Sequence, residues 1–146
     1  MIKDYEHYEE DEDSNVDKIC NIEPNYSSYQ IYIPENKIIY ISFLEGNFYS
    51  EDYLGALNLK VEDGILKLNS VLAYTNIQLN SGSVLIDEIS NTKIDAETNL
   101  GILLTDLVEE TQKNDSRKLM QSAGVPSSSL IIRTIMANIY LYGSKG

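Results

Sequence analysis

Glycines 46, 64 and 82 stand 18 residues apart, each at the same place in a repeating pattern. Take the residues seven, five and three before each Gly, and two and four after it. Around Gly46 these are Ile39, Ile41, Phe43, Phe48 and Ser50; around Gly64, Leu57, Leu59, Val61, Leu66 and Leu68; around Gly82, Thr75, Ile77, Leu79, Val84 and Ile86. A looser copy around Gly101, 19 residues on, gives Ile94, Ala96, Thr98, Leu103 and Thr105, with Ile102 and Leu104 as the alternative inward pair. A last copy centres on Ala137, two periods later, with Leu130, Ile132, Thr134, Ile139 and Leu141. Twenty of these 25 positions are apolar in a chain that is 42% hydrophobic. Random placement would fill about ten or eleven.

Alternation with period two makes each segment a strand with one buried face. A constant return after 18 residues brings each copy back to the same place, so inward residues form columns: Phe43, Val61 and Leu79 in one, Phe48, Leu66 and Val84 in another. The expected fold is all-β: a single-stranded parallel β-solenoid, or β-helix, with rungs of about 18 residues and two short strands per rung. Gly is expected at a corner, where the chain needs positive φ or the next rung comes very close. An up-and-down antiparallel meander would also alternate, but it supplies no reason for one fixed period.

The 146 residues suffice for one domain with a sizeable core. Residues 1–28 are expected to be an acidic N-terminal arm or cap, and 29–146 the β-solenoid, with an inserted loop at about 106–129. "YQIYIPENKIIYISF" reads as two alternating runs joined by a turn at 34–37. "LMQSAG" reads as a strand leading to the turn "VPSSS". Eight of the eleven Tyr lie at or before Tyr53, and most are expected to cap the open end of the coil.

The net charge is −12, and residues 1–24 alone hold nine acidic and two basic side chains. Such a field repels phosphates, so nucleic acid is not an expected partner. The longest apolar runs fall far short of a membrane helix, so no membrane insertion is expected. The opening "MIKDYEHYEEDED" is acidic and lacks the apolar core of a signal peptide. "DEDSNVD", 11–17, resembles the start of a calcium loop but has Val16 where that loop needs Gly and Ile22 where it needs Glu.

One His and one Cys, His7 and Cys20, leave little material for a zinc site or a Ser-His-Asp triad. No cofactor, metal site or catalytic residue is expected. The acid pairs Asp87-Glu88 and Glu109-Glu110 read as solvated turns. The outward columns are Tyr40, Asn58 and Asn76, then Ser42, Lys60, Gln78 and Arg133; they read either as a solvated sheet, with Asn58 over Asn76 as a side-chain hydrogen-bond ladder, or as a contact face of Tyr40, Asn58, Lys60, Asn76, Gln78 and Arg133. The opposite sheet shows Tyr49, Lys67, Leu85 and Tyr140.

"TKIDAETNLGILLTDL", then "LMQSAG", then "SLIIRTIMANIYLYG" resembles the C-terminal part of the DUF4097 adhesin-like family. Arg133, Thr134, Asn138, Ile139 and Tyr140 match that family's last rung, and Ala137 replaces its Gly. The resemblance covers about residues 30–146. It implies a β-helix, an extracytoplasmic or cell-surface location and no enzymatic activity. The expected function is therefore a non-enzymatic, adhesion-like module contacting a protein or glycan at a cell envelope. The alternatives are a self-associating scaffold and a glycan-acting enzyme. A homo-oligomer would form through the flat terminal edge expected near Leu130 to Tyr142.

Overall fold

A computed structural model describes the backbone of residues 18–22 and, in full, residues 30–108, 117–122 and 125–144. The acidic stretch that resembles a calcium loop, Cys20's side chain and Glu109-Glu110 lie outside the described residues.

The described chain consists of strands and turns, with no helix: β1 (Lys18–Ile22), β2 (Ile38–Ser50), β3 (Ala56–Ser70), β4 (Tyr74–Ile89), β5 (Thr92–Thr98), β6 (Leu103–Thr105), β7 (Lys118–Gln121), β8 (Ser128–Thr134) and β9 (Asn138–Gly143). They make one mixed, mostly parallel sheet. The 18-residue period is its register: Ile39 pairs with Leu57 and Leu57 with Thr75, Gly46 with Gly64 and Gly64 with Gly82. Phe43, Val61 and Leu79 share one column, and Phe48, Leu66 and Val84 another.

β2, β3 and β4 run through their glycines without interruption, rather than as two short strands each. The buried side changes phase there. Val61 and Leu66, five residues apart, are both buried. In a straight strand they would face opposite ways. All 25 pattern positions are buried except Phe48 and Ser50, which are half-buried. Those two lie on the half of β2 that, among the described residues, pairs with β3 alone. The copy around Gly101 keeps its phase despite the extra residue: Leu103 is 2% exposed, whereas Ile102 and Leu104 are 52% and 44% exposed. The alternative inward pair is thereby excluded.

The order of the copies in space departs from their order in the chain. β4 is followed by the last copy, not by the copy around Gly101: β8 lies between β4 and β5, and β9 between β4 and β6. The Gly column therefore continues from Gly82 through Ala137 to Gly101. Leu130 to Tyr142, expected as a flat terminal edge, is paired on both sides and is no edge. Buried hydroxyls fasten the inserted copy. Ser128 Oγ donates to Val71 O at 3.0 Å and lies 2.8 Å from Thr92 Oγ1, while Thr98 and Thr134 both donate to Ala137 O, at 2.8 and 3.1 Å.

"LMQSAG" does begin with a strand: β7 pairs antiparallel with β5. Two expectations at the other end change. Gln30–Pro34 forms no strand, although Ile31 and Ile33 pack on the core. Within the expected acidic arm, β1 pairs parallel with β2, Lys18 opposite Ile39. Of the described tyrosines near that end, only Tyr53 packs against the core. Its hydroxyl sits 2.9 Å from Lys37 O and 3.1 Å from Pro34 O, and accepts from Lys37 N at 3.2 Å. Tyr32, Tyr40 and Tyr49 face solvent.

Candidate contact face

The first halves of β2, β3 and β4 alternate strictly, so every second side chain stands on the outer surface. Parallel register then decides which of them meet. Tyr40, Asn58 and Asn76 lie side by side, and the next position along is Ile131 of β8. Ser42, Lys60, Gln78 and Arg133 make the neighbouring column. All six expected contact residues are thus brought onto one face. The same alternation extended one step back adds Ile38 and Tyr74, which the sequence reading left out.

Arg133 differs from the other five because its guanidinium is already held. Nη2 donates to Asp95 Oδ2 at 2.8 Å, and Nη1 donates to Asp95 O at 2.9 Å and to Ile132 O at 3.0 Å. Glu97 Oε1 is 4.0 Å from Nε. Asp95 and Glu97 come from β5, which pairs with β8 only because the last copy is inserted. Arg133 therefore ties two strands together and contributes less to a contact surface than its position suggested.

The hydrogen bond from Arg133 holds the Asp95 carboxyl below the usual carboxylate range and pushes the guanidinium further up. With its folded pKa below its unfolded one, Asp95 adds stability above the unfolded value, near 3.9, and loses it as pH falls through the folded value. The side chains are 30% and 45% exposed, so solvent screening limits the pair to about 0.2–1 kcal/mol. Asp95→Asn should melt lower than the parent protein at about pH 7, and the gap should close at about pH 2. An equal gap at both pH values in thermal unfolding would remove the pair from the stability account.

Among the described residues, hydrogen-bonded side-chain pairs join neighbouring copies beside the Gly column, and Asn69 and Ser70 to Asp52, rather than Asn58 to Asn76. Asn80 Nδ2 donates to Glu62, Ser81 Oγ to Asp63 Oδ1 at 3.0 Å, and Asn47 Oδ1 accepts from Ile65 N at 3.2 Å. Asn47 thus takes up a backbone N–H next to Gly64 on the neighbouring strand. Asn138 Oδ1 does the same for Ile102 N at 3.0 Å.

The opposite outward column holds Tyr49, Lys67, Leu85, Tyr140 and Leu104 in register. Lys67 Nζ lies 5.8 Å from the Tyr49 ring centre and 3.9 Å from Asp87 Oδ2. Asp87 and Glu88, expected in a solvated turn, lie instead within β4, where Asp87 is the ion-pair partner of Lys67. No group of three or more His, Cys, Asp or Glu side chains that could hold a metal occurs among the described residues.

No family model, curated protein or solved structure matches the chain. The resemblance to the DUF4097 family therefore rests on the residues quoted for it.

Proposed function

We propose that the chain is a β-solenoid serving as a non-enzymatic binding module, and that the outer face of β2–β4 meets its partner. Three features support the coil: the constant 18-residue parallel register, the change of buried side at each Gly, and the Gly column itself. The observation that carries the contact face is its composition. Two adjacent columns of Tyr, Asn, Lys and Gln stand on strands paired on both sides, and the Lys60–Gln78 column runs on into Arg133 of β8. Side chains on a paired sheet lose little further entropy on binding. The family resemblance adds the setting, a cell envelope. The self-associating alternative was motivated by an edge that the inserted copy closes.

The test is co-sedimentation of the labelled protein with a bacterial envelope fraction. The parent protein should pellet with it. The triple variant Tyr40→Ala, Lys60→Ala, Gln78→Ala, with unchanged melting, should stay in the supernatant. Absence of pelleting, or equal pelleting of the variant, would overturn the reading.

A further inference from the structure

We infer that the occupant of this face is an uncharged polysaccharide chain, an inference that rests on the contact-face reading above. Charge distribution points to it. The chain has 23 acidic residues and a net charge of −12. Yet three outward positions on each of β2, β3 and β4 contain no acid at all, and one cation, Lys60. Acids surround the patch without entering it: Glu45, Glu62 and Asp63 at the Gly corner, Asp95 and Glu97 beyond β8. A solvated face that served solubility alone would carry its share of them.

An anionic ligand would have to approach through the negative field of the whole molecule to reach one Lys. A cationic ligand would find no acid on the face to pair with. An uncharged one is indifferent to the field and needs hydrogen-bonding groups and flat apolar surfaces. The face supplies both. Asn58, Asn76 and Gln78 offer amide donors and acceptors that match hydroxyl groups. Tyr40 and Tyr74 are 44% and 42% exposed. They stand two strands apart, about 10 Å across the sheet and about 7 Å along it. That diagonal suits an extended sugar chain stacking its C–H faces on both rings. Laid across the strands from Tyr40 to Tyr74, such a polymer is recognised by length rather than by enclosure.

The experiment is native affinity electrophoresis in gels cast with hydroxyethyl cellulose, arabinoxylan or, as the anionic comparison, polygalacturonate. Retardation is expected in at least one uncharged gel. It should weaken roughly tenfold in the double variant Tyr40→Ala, Tyr74→Ala, whose melting should match the parent. No retardation in either uncharged gel overturns the inference. So does retardation confined to polygalacturonate, or retardation that the double variant keeps. If the gels fail while envelope pelleting still depends on Tyr40, Lys60 and Gln78, the face remains the contact surface and only the ligand class falls.

Discussion

Gly64→Ala is expected to abolish the cooperative unfolding transition, while Gly46→Ala leaves a folded protein with a lowered melting temperature. The two residues occupy the same place in consecutive copies, so composition alone predicts equal effects. Their surroundings do not. A Cβ on Gly64 would lie 1.7 Å from Gly46 O and 2.9 Å from Gly46 C. These are backbone atoms, and they can move only if β2 and β3 separate. Among the described residues, a Cβ on Gly46 would meet the Phe43 ring, at 3.5 Å, and no backbone atom. Its cost is conformational: φ is +147°, a region worth about 1–3 kcal/mol of strain for other residues. Gly82→Ala combines both penalties, with φ at +118° and Gly64 O at 1.8 Å from the added carbon. Opening a ladder in mid-sheet should exceed about 4 kcal/mol, a large part of the roughly 5–15 kcal/mol that holds a domain together. Far-UV circular dichroism on heating measures all three. A Gly64→Ala protein that melts within a few degrees of the parent would mean that the glycines do not stack.

What the repeat made legible was membership in a column. Alternation and a constant period determine whether each side chain faces in or out and which positions are equivalent. That is why Ile132 and Ile139 read as inward and Lys60 and Gln78 fall in one column, whereas the extra residue before Gly101 left Leu103 open against Ile102 and Leu104. Order along the stack is a different kind of information. Exchanging two copies of equal period leaves every residue's burial unchanged, so Ile132 reads as inward whether its copy comes fourth or last. Consequences of neighbourhood were hidden with it. Arg133 meets Asp95, 38 residues away, only because β8 lies against β5. The Tyr40–Asn58–Asn76 column was legible because β2, β3 and β4 do stack in chain order. The misplaced asparagine ladder has another cause: pattern shows where two Asn adjoin, not which backbone N–H a side chain takes up. Beside the Gly column, Asn47 and Asn138 each take up one.

The inserted copy makes the second large prediction. A protein ending at residue 124 should fail to fold, although it keeps four of the five copies. Were the last copy a terminal rung, its removal would shorten the stack and expose one new edge, as loss of an end repeat does in an array of nearest-neighbour units. Here it would leave a gap between β4 and the pair β5 and β6, with both flanking edges stripped of partners. Leu130, Ile132, Ile139 and Leu141 are fully buried, and their loss removes about 1.5–3 kcal/mol each, a sum comparable to the whole stability of a domain. Ile94, Ala96 and Leu103 would lose the layer they pack on. Thr98 would lose Ala137 O, the acceptor of its hydroxyl. The shortened protein should show no sigmoidal thermal transition and should expose its core to a hydrophobic dye. A cooperative transition only a few degrees below the parent's would show that β5 and β6 can stack directly on β4. The copies would then be interchangeable in order, and the insertion between β4 and β5 would be one arrangement among equals rather than the keystone of the sheet.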